Sequence, residues 1–237
     1  MIDSLQVSVV IPVFNEELVL HKFYPRLKKE AESWGKSYEI LFVDDGSTDN
    51  SLELICKWKK VDSNIRVIKF TRNFGQQAAV LAGFRESRGN IVVQIDSDLQ
   101  NPPEEIKRLL DAFTDEIDLV VTTPRKRRDS SLRIIGSKAL HFLAQALFGN
   151  RFKLNLSSFR AMRRSVIEKI DQCQDRSRYM AVLMSWMAVP TVNVEVDHHS
   201  RKIGQTKYGV LPLLRLTWDL ITGFSNFPLR LVTYLGL

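Results

Sequence analysis

Short runs of apolar, often β-branched residues alternate along the first half of the chain with longer segments in which apolar residues recur at helical spacing. The short runs predict five buried strands, at Val7–Val13, Tyr38–Val43, Ile65–Phe70, Ile91–Ile95 and Asp118–Thr123. The segments between them predict helices, and the longest of these runs from about Glu17 to Trp34. Because strand and helix alternate, we expect an α/β fold: a doubly wound, mostly parallel sheet with helices on both faces.

Polar residues follow four of these strands directly. In a doubly wound sheet, ligands bind in the crevice at the carboxyl ends of the strands. We therefore expect the four polar clusters to surround one site: Asn15-Glu16, Asp44-Asp45, Arg72-Asn73 and Asp96 to Gln100.

The fourth cluster has the chemistry of a cation site. Asp96 and Asp98 are separated by one residue, and the side-chain amide of Gln100 follows two positions later. Carboxylate and amide oxygens are hard ligands that suit Mg²⁺ or Mn²⁺, which can at the same time hold a substrate phosphate. A polar turn that caps a strand would have the same local sequence, so the choice depends on the rest of the chain.

A basic run, Arg125 to Arg128, comes just after the fifth strand. Arginine suits phosphate geometry, and no stacking aromatic residues are interleaved with these charges, which favours phosphate over nucleic acid. A second basic segment, Arg201 to Tyr208, contains Gly204 and is interpreted as a lid that places Lys207 and Arg201 on phosphates. A flexible surface turn is the alternative for this segment.

The tail, Val210–Leu237, is too apolar for a solvated helix and too broken to span a bilayer. It predicts amphipathic helices in a membrane interface, or a helix packed on the domain core for Val210–Thr222. We therefore divide the chain into a catalytic domain, residues 1–209, and an interface segment, residues 210–237. We expect the chain to contain neither a secretory leader nor a membrane span.

The charge balance points to an anionic partner. The chain of 237 residues carries 34 Lys and Arg against 27 Asp and Glu, a net charge of +7. The glycine-rich fingerprints of dinucleotide dehydrogenases and P-loop NTPases are absent from the sequence, which argues against those two classes.

Seven stretches resemble glycosyltransferase family 2, whose fold is GT-A, and within it the branch that transfers sugars to polyprenyl phosphates. They are VSVVIPVFNEE, EILFVDDGSTDNS, RNFGQQAAVLAGF, DSDLQNPPEEI, the arginines after TTP, RKIGQTKY and DLITGFSNFPLRL. The resemblance extends from Val7 to the C-terminus. It implies inverting transfer of a sugar from a nucleotide-sugar, with a uridine nucleotide favoured and GDP-mannose left open, to polyprenyl (undecaprenyl) phosphate. The enzyme would work at the cytoplasmic face of the inner membrane.

The resemblance also assigns roles to individual residues. The nucleotide-sugar would contact Pro12, Phe14, Asn15, Glu16, Asp44, Asp45 and Asp96, to which we add Arg72 from the third polar cluster. The divalent metal would be held by Asp96, Asp98 and Gln100. The acceptor phosphate would lie among Arg125, Arg128, Arg133, Ser137, Arg201 and Lys207. Asp98, Arg125, Arg128 and Lys207 are the predicted catalytic residues.

Two departures from the family pattern matter. Bactoprenol glucosyltransferases usually carry an Asp, proposed there as a base, where this chain has Ser158 before Phe159-Arg160. Bacterial relatives also continue into two transmembrane helices, whereas Leu237 lies about where the first would begin. The protein would thus be peripheral, or anchored through a segment beyond residue 237.

Three other functions stay open at this point. The first is a family 2 enzyme with a hydroxyl acceptor, in polysaccharide or glycolipid assembly. The second is a non-catalytic nucleotide-sugar-binding protein, for which the change to Ser158 leaves room. The third, a nucleic-acid-binding protein, rests on charge alone, and we expect no nucleic-acid partner. A homo-oligomer is compatible with all three.

Overall fold

The structure, a computed structural model, describes residues 5–125, 157–173 and 189–198, together with 180, 183, 184, 187, 233 and 236. The strands are β1 (Val7–Val13), β2 (Tyr38–Asp44), β3 (Ile65–Lys69), β4 (Ile91–Gln94), β5 (Leu119–Pro124), β6 (Arg160–Arg163) and β7 (Thr191–Val196). The helices are α1 (Glu17–Glu32), α2 (Ser51–Lys59), α3 (Gln76–Glu86), α4 (Ile106–Asp111) and α5 (Arg164–Gln172). The predicted helix after Pro102 begins as a 3₁₀ turn, Pro103–Glu105, before α4.

The strands of the described residues form one sheet in the order β3-β2-β1-β4-β6-β5-β7. Strands β1 to β4 pair in parallel, and β5 pairs in parallel with β7. The mostly parallel sheet predicted from the sequence is therefore confirmed. The exception is β6, which lies antiparallel between β4 and β5. Since β6 runs the other way, its amino end lies beside the carboxyl end of β4, where Gln94 pairs with Arg160.

The buried residues of β1 and β2 face helices on both sides of the sheet. On one face, Val9 and Ile11 belong to a core with Phe23 of α1 and Ile55 of α2. On the other face, α3 packs so closely that a Cβ added at Gly83 would lie 2.3 Å from Val10 Cγ1. This two-sided burial explains the near-continuous apolar sequence of β1.

The chain divides into two compact units. One comprises Met1–Lys126, Ser157–Gln172 and Val189–Ile203 and contains the sheet; the other comprises Arg127–Leu156, Cys173–Ala188 and Gly204–Leu237. The predicted lid and the predicted interface segment, 210–237, fall almost wholly outside the described residues, so the domain division remains a prediction. In the part of the chain that is described, no helix is both long and apolar enough to cross a membrane.

Candidate functional site: an acidic crevice at the carboxyl ends of the strands

The loops that follow β1 and β2 are joined by side-chain hydrogen bonds. Asn15 has a left-handed backbone, φ 55°, and its Oδ1 accepts the Thr48 N–H at 2.8 Å. The Glu16 N–H donates to Ser51 Oγ at 2.9 Å. Pro12 is buried within β1 opposite Val43 of β2. These contacts fix the first two predicted polar clusters against each other, at one edge of the sheet.

Asp45 connects the second cluster to the third. Its carboxylate is 3% exposed. Oδ1 accepts the Phe74 N–H at 2.7 Å, and Oδ2 accepts the Gly75 N–H at 2.9 Å. Both oxygens therefore hold the loop between β3 and α3. The predicted nucleotide contact of Asp45 stays a prediction. The structure shows a second role for this side chain, which joins the loop after β2 to the loop after β3.

The same two loops approach each other closely at Gly46. This residue has φ 72°, and a Cβ built on it would lie 2.5 Å from the backbone carbon of Arg72. Glycine is required both by the left-handed conformation and by this contact. The Arg72 guanidinium lies over the ring of Phe74, 4.7 Å from its centroid, and the Phe74 side chain is 52% exposed. The third polar cluster thus presents a cation and an aromatic ring at the rim of the crevice.

Asp44, the last residue of β2, is fully buried. Its Oδ2 accepts the Ser47 N–H at 3.3 Å, whereas its Oδ1 meets no hydrogen-bond donor among the described residues. A buried carboxylate oxygen without a donor is costly, so a water or a ligand group that donates to it would stabilise the site.

Asp96 follows β4 and is held from two directions. Oδ1 accepts Gln76 Nε2 at 2.7 Å, and Oδ2 accepts the Ser158 hydroxyl at 2.5 Å. The carboxyl group keeps some solvent-accessible surface, but protein surrounds it on most sides. Burial raises its pKa and the negative charge of Asp98 adds to that effect, while the hydrogen bonds from Ser158 and Gln76 and the charge of Arg160 oppose it. The net direction is upward.

The turn from Asp98 to Gln100 is strained. Leu99 has φ 60°, a conformation that costs a branched residue about 1 kcal/mol or more. The Asp98 Oδ1 accepts the Gln100 N–H at 3.0 Å, and the Leu99 side chain packs against the core. Packing of the partly buried Leu99 against the core offsets the strain and keeps the two flanking polar residues beside each other.

The donor set of Asp96, Asp98 and Gln100 fits a divalent cation. All three offer hard oxygen atoms, and the two carboxylates are close enough that the charge of Asp98 raises the pKa of Asp96. Three protein oxygens leave positions for phosphate oxygens, as is usual where Mg²⁺ holds a nucleotide. In the described residues, no group of three or more His, Cys, Asp or Glu side chains is arranged to hold a metal.

Arg125 is the one predicted acceptor-phosphate residue that the structure describes. Its backbone N–H donates to Val196 O at 3.0 Å, and its Nη1 lies 3.4 Å from Asp197 Oδ1. Both side chains are about half exposed, so this ion pair adds little stability and leaves the arginine available. The other predicted residues, Arg128, Arg133, Ser137, Arg201 and Lys207, lie outside the described residues.

Three residues around Asp96 were given no role from the sequence: Gln76, Ser158 and Arg160. The family pattern had nevertheless marked position 158, where bactoprenol glucosyltransferases have a proposed base. Gln76 is the first residue of α3, and its place after the third polar cluster was the signal that could have indicated it. Ser158 and Arg160 reach Asp96 because β6 inserts antiparallel next to β4. No local pattern in the sequence indicates which strand β6 joins.

The sequence profile described as "Glycosyl transferase family 2" matches residues 8–171. The chain belongs to this family. It is a glycosyltransferase, and the match confirms the resemblance carried by the motifs. The chain is 40% identical over 232 residues to the undecaprenyl-phosphate 4-deoxy-4-formamido-L-arabinose transferases of Salmonella paratyphi B and Salmonella newport. The alignment covers 98% of this chain and 71% of each relative.

Solved structures confirm the GT-A fold. Glucosyl-3-phosphoglycerate synthase from Mycobacterium tuberculosis, in complex with Mn²⁺, UDP and glucosyl-3-phosphoglycerate, has a TM-score of 0.64 at 19% identity. The match covers 92% of this chain and 79% of the synthase. A mannosyltransferase from Pyrobaculum calidifontis, in complex with GDP-Man and Mn²⁺, has a TM-score of 0.64 at 17% identity. That match covers 89% of this chain and 60% of the mannosyltransferase chain. At these identities the likeness establishes the fold alone.

Proposed function

We propose that this glycosyltransferase transfers a sugar from a nucleotide-sugar, a UDP-sugar in the first instance, to polyprenyl phosphate with inversion at the anomeric carbon. The observation that carries the proposal is the pair Asp96 and Asp98 at the carboxyl end of β4. It occurs in a chain that is 40% identical to undecaprenyl-phosphate sugar transferases over 98% of its length. A nucleotide diphosphate needs positive charge opposite it, and this acidic pair can supply that charge by holding a cation.

Asp96, Asp98 and Gln100 would hold Mg²⁺ or Mn²⁺, which supplies charge neutralisation for the departing nucleoside diphosphate. The Asp98–Gln100 contact and the packing of the partly buried Leu99 against the core would keep two of these ligands in place. The structural relatives that contain Mn²⁺ with UDP or GDP-Man support the proposal of a divalent metal.

The nucleotide would lie over the joined loops of β1, β2 and β3. Asn15, Glu16, Asp44 and Arg72 lie at that edge, and the buried Oδ1 of Asp44 is free to accept a ligand donor as far as the described residues extend. Phe14 and Pro12 would contribute apolar contacts beside them. Because Asp45 uses both oxygens on the loop of Phe74 and Gly75, its contribution to nucleotide binding would be to position that loop.

The acceptor would attack without activation by a side-chain base. A phosphomonoester has a second pKa near ~6, so polyprenyl phosphate is largely a dianion at neutral pH. Ser158, at the position of the base proposed in bactoprenol glucosyltransferases, donates a hydrogen bond to Asp96, and a serine hydroxyl cannot replace a carboxylate as a general base. A phosphate acceptor tolerates this arrangement, whereas a hydroxyl acceptor would require another carboxylate.

The acceptor phosphate would be held by the basic residues that follow β5 and by the basic loop of the lid. The basic residues are Arg125, Arg128, Arg133, Arg201 and Lys207, and the hydroxyl of Ser137 would join them. The apolar segment 210–237 would bind the cytoplasmic face of the membrane. There anionic lipids would contribute about 1 kcal/mol for each well-placed Lys or Arg. A homo-oligomer is compatible with this placement.

A donor screen tests the proposal. The purified full chain is incubated with undecaprenyl phosphate, Mg²⁺ or Mn²⁺, and in turn UDP-sugars, including a UDP-linked aminoarabinose derivative, and GDP-mannose. Lipid-linked product is separated by thin-layer chromatography. Product with a UDP-sugar supports the proposed donor and acceptor, and product with GDP-mannose alone corrects the nucleotide. Absence of lipid-linked product with every donor, while the same donors glycosylate a hydroxyl acceptor, would overturn it.

A further inference from the structure

The reversed direction of β6 brings Ser158 to the acidic pair. Strand β6 begins at Arg160, which pairs with Gln94 at the last position of β4. The residues just before β6 and just after β4 therefore meet at the same edge of the sheet. Ser158 precedes β6 by two positions, Asp96 follows β4 by two positions, and their side chains form a hydrogen bond of 2.5 Å.

This bond completes the set of donors around Asp96. The Gln76 amide donates to Oδ1 from the start of α3, and the Ser158 hydroxyl donates to Oδ2 from the start of β6. The buried Arg160, 4% exposed, places a positive charge nearby. Two donors on opposite oxygens fix the rotation of a carboxylate, and each oxygen retains a further lone pair for a cation.

We infer that Ser158 is a positioning residue: its hydroxyl orients the Asp96 carboxylate for the cation, at the place where bactoprenol glucosyltransferases have an Asp. This inference rests on the proposed function and deepens it. An ionised carboxylate has no proton to donate, so an Asp at position 158 could not make this bond. It would also place a second negative charge against Asp96, which destabilises the pair.

Substitutions at Ser158 separate this role from that of a lost base. Ser158→Thr keeps the donor, and the side chain is only half-buried, so there is room for a methyl group. Ser158→Ala removes the donor. Ser158→Asp and Ser158→Asn have nearly the same shape and differ in charge, which makes the Asn variant the matched control for the Asp variant. Asp98→Asn provides the reference for a lost cation ligand.

The first measurement is Mn²⁺ affinity, obtained by titrating the purified full chain with Mn²⁺ alone and following free Mn²⁺ by electron paramagnetic resonance. We expect wild-type affinity for Ser158→Thr and a loss of about 10-fold for Ser158→Ala, the usual effect of removing a partner of a metal ligand. The side-chain amide of Ser158→Asn can also donate to Asp96, so its affinity should lie between those of Ser158→Ala and the wild type. Ser158→Asp loses the donor, which lowers Mn²⁺ affinity, and adds a negative charge, which offsets that loss. Its Mn²⁺ affinity should therefore equal that of the wild type or be lower.

The second measurement is sugar transfer to undecaprenyl phosphate with the donor found in the screen. Ser158→Asp should transfer sugar more slowly than Ser158→Asn. The inference is overturned if Ser158→Ala matches the wild-type Mn²⁺ affinity, if Ser158→Asp binds Mn²⁺ more tightly than wild type, or if Ser158→Asp transfers faster than wild type. It is also overturned if Ser158→Thr loses as much Mn²⁺ affinity as Ser158→Ala, because the hydroxyl would then not be the group that orients Asp96.

The Mn²⁺ titration needs no donor or acceptor, so its result can be interpreted whether or not sugar transfer is observed. Failure of wild-type transfer with every donor would reject the proposed function alone. Equal Mn²⁺ affinities in the wild type and Ser158→Ala would reject the inference alone.

Discussion

The substitution Asp45→Asn tests whether this carboxylate fastens the loops that frame the nucleotide site. Asp45 is almost fully buried and accepts the backbone N–H groups of Phe74 and Gly75, one on each oxygen. Asparagine has nearly the same shape but has one acceptor oxygen and one NH₂ group. In the variant, one backbone N–H still donates to the neutral amide oxygen, whereas the other faces the NH₂ group, which is itself a donor.

The expected cost follows from those two bonds. A hydrogen bond to a charged group contributes about 1.5–3 kcal/mol, and a neutral one about 1 kcal/mol. Loss of one charged bond, and weakening of the other, destabilises the fold by about 3 kcal/mol. For a chain of this size, that corresponds to a decrease in the unfolding temperature of roughly 6–12 °C.

Urea denaturation followed by circular dichroism measures the loss, and hydrogen exchange at Phe74 and Gly75 locates it. The matched control is Asp115→Asn, which makes the same chemical change at an exposed position and should alter stability by less than about 0.5 kcal/mol. A wild-type urea midpoint and unchanged exchange in Asp45→Asn, together with lost UDP binding, would refute the reasoning. The carboxylate would then act on the ligand and not on the loop.

Three further changes have defined outcomes. Asp98→Asn should reduce turnover by about 100-fold, since metal charge stabilisation of about 3 kcal/mol is lost, with an unchanged unfolding temperature; a fall in both would point to a folding defect. Burial alone would raise the pKa of Asp62, but hydrogen bonds from Lys28 and others outweigh it and lower the pKa in the folded state. The stability that Asp62 contributes is therefore fully present above the unfolded pKa of about 3.9 and is lost as pH falls through the lower folded pKa. Asp62→Asn should therefore cost about 2 kcal/mol at pH 7 in urea titrations and flatten the loss of stability below about pH 4; equal pH profiles would contradict this. Gly46→Ala should cost about 2 kcal/mol or more in the same assay because its Cβ would meet the Arg72 backbone, and a neutral result would contradict the close approach.

The sequence predicted the parallel half of the fold because burial on both faces leaves an unambiguous apolar pattern. Strands β1 to β4 occur where continuous apolar runs predicted them, and their polar ends converge on one crevice. The acidic pair could be found in the same way, since the carboxyl end of a parallel strand has a known position in such sheets.

The partners of Asp96 could not be predicted because they depend on long-range pairing. Arg160–Arg163 is a four-residue strand whose composition does not indicate its neighbours or its direction. Its antiparallel insertion between β4 and β5 determines that Ser158 meets Asp96 across 62 positions of sequence. The role of Asp45 was missed for a similar reason, since its partners are backbone groups of a loop that local sequence does not place.

The most direct test of the account compares two acceptors that differ in one group, undecaprenyl phosphate and undecaprenol, with the same donor and metal. The proposed acceptor is already an anion, and in the site Ser158 donates a hydrogen bond to Asp96. We therefore expect transfer to undecaprenyl phosphate, with a rate that rises through the acceptor's second pKa near ~6 and is then constant, and no measurable transfer to undecaprenol. Comparable transfer to undecaprenol would contradict the proposed mechanism, because a hydroxyl acceptor requires a base and the mechanism has none.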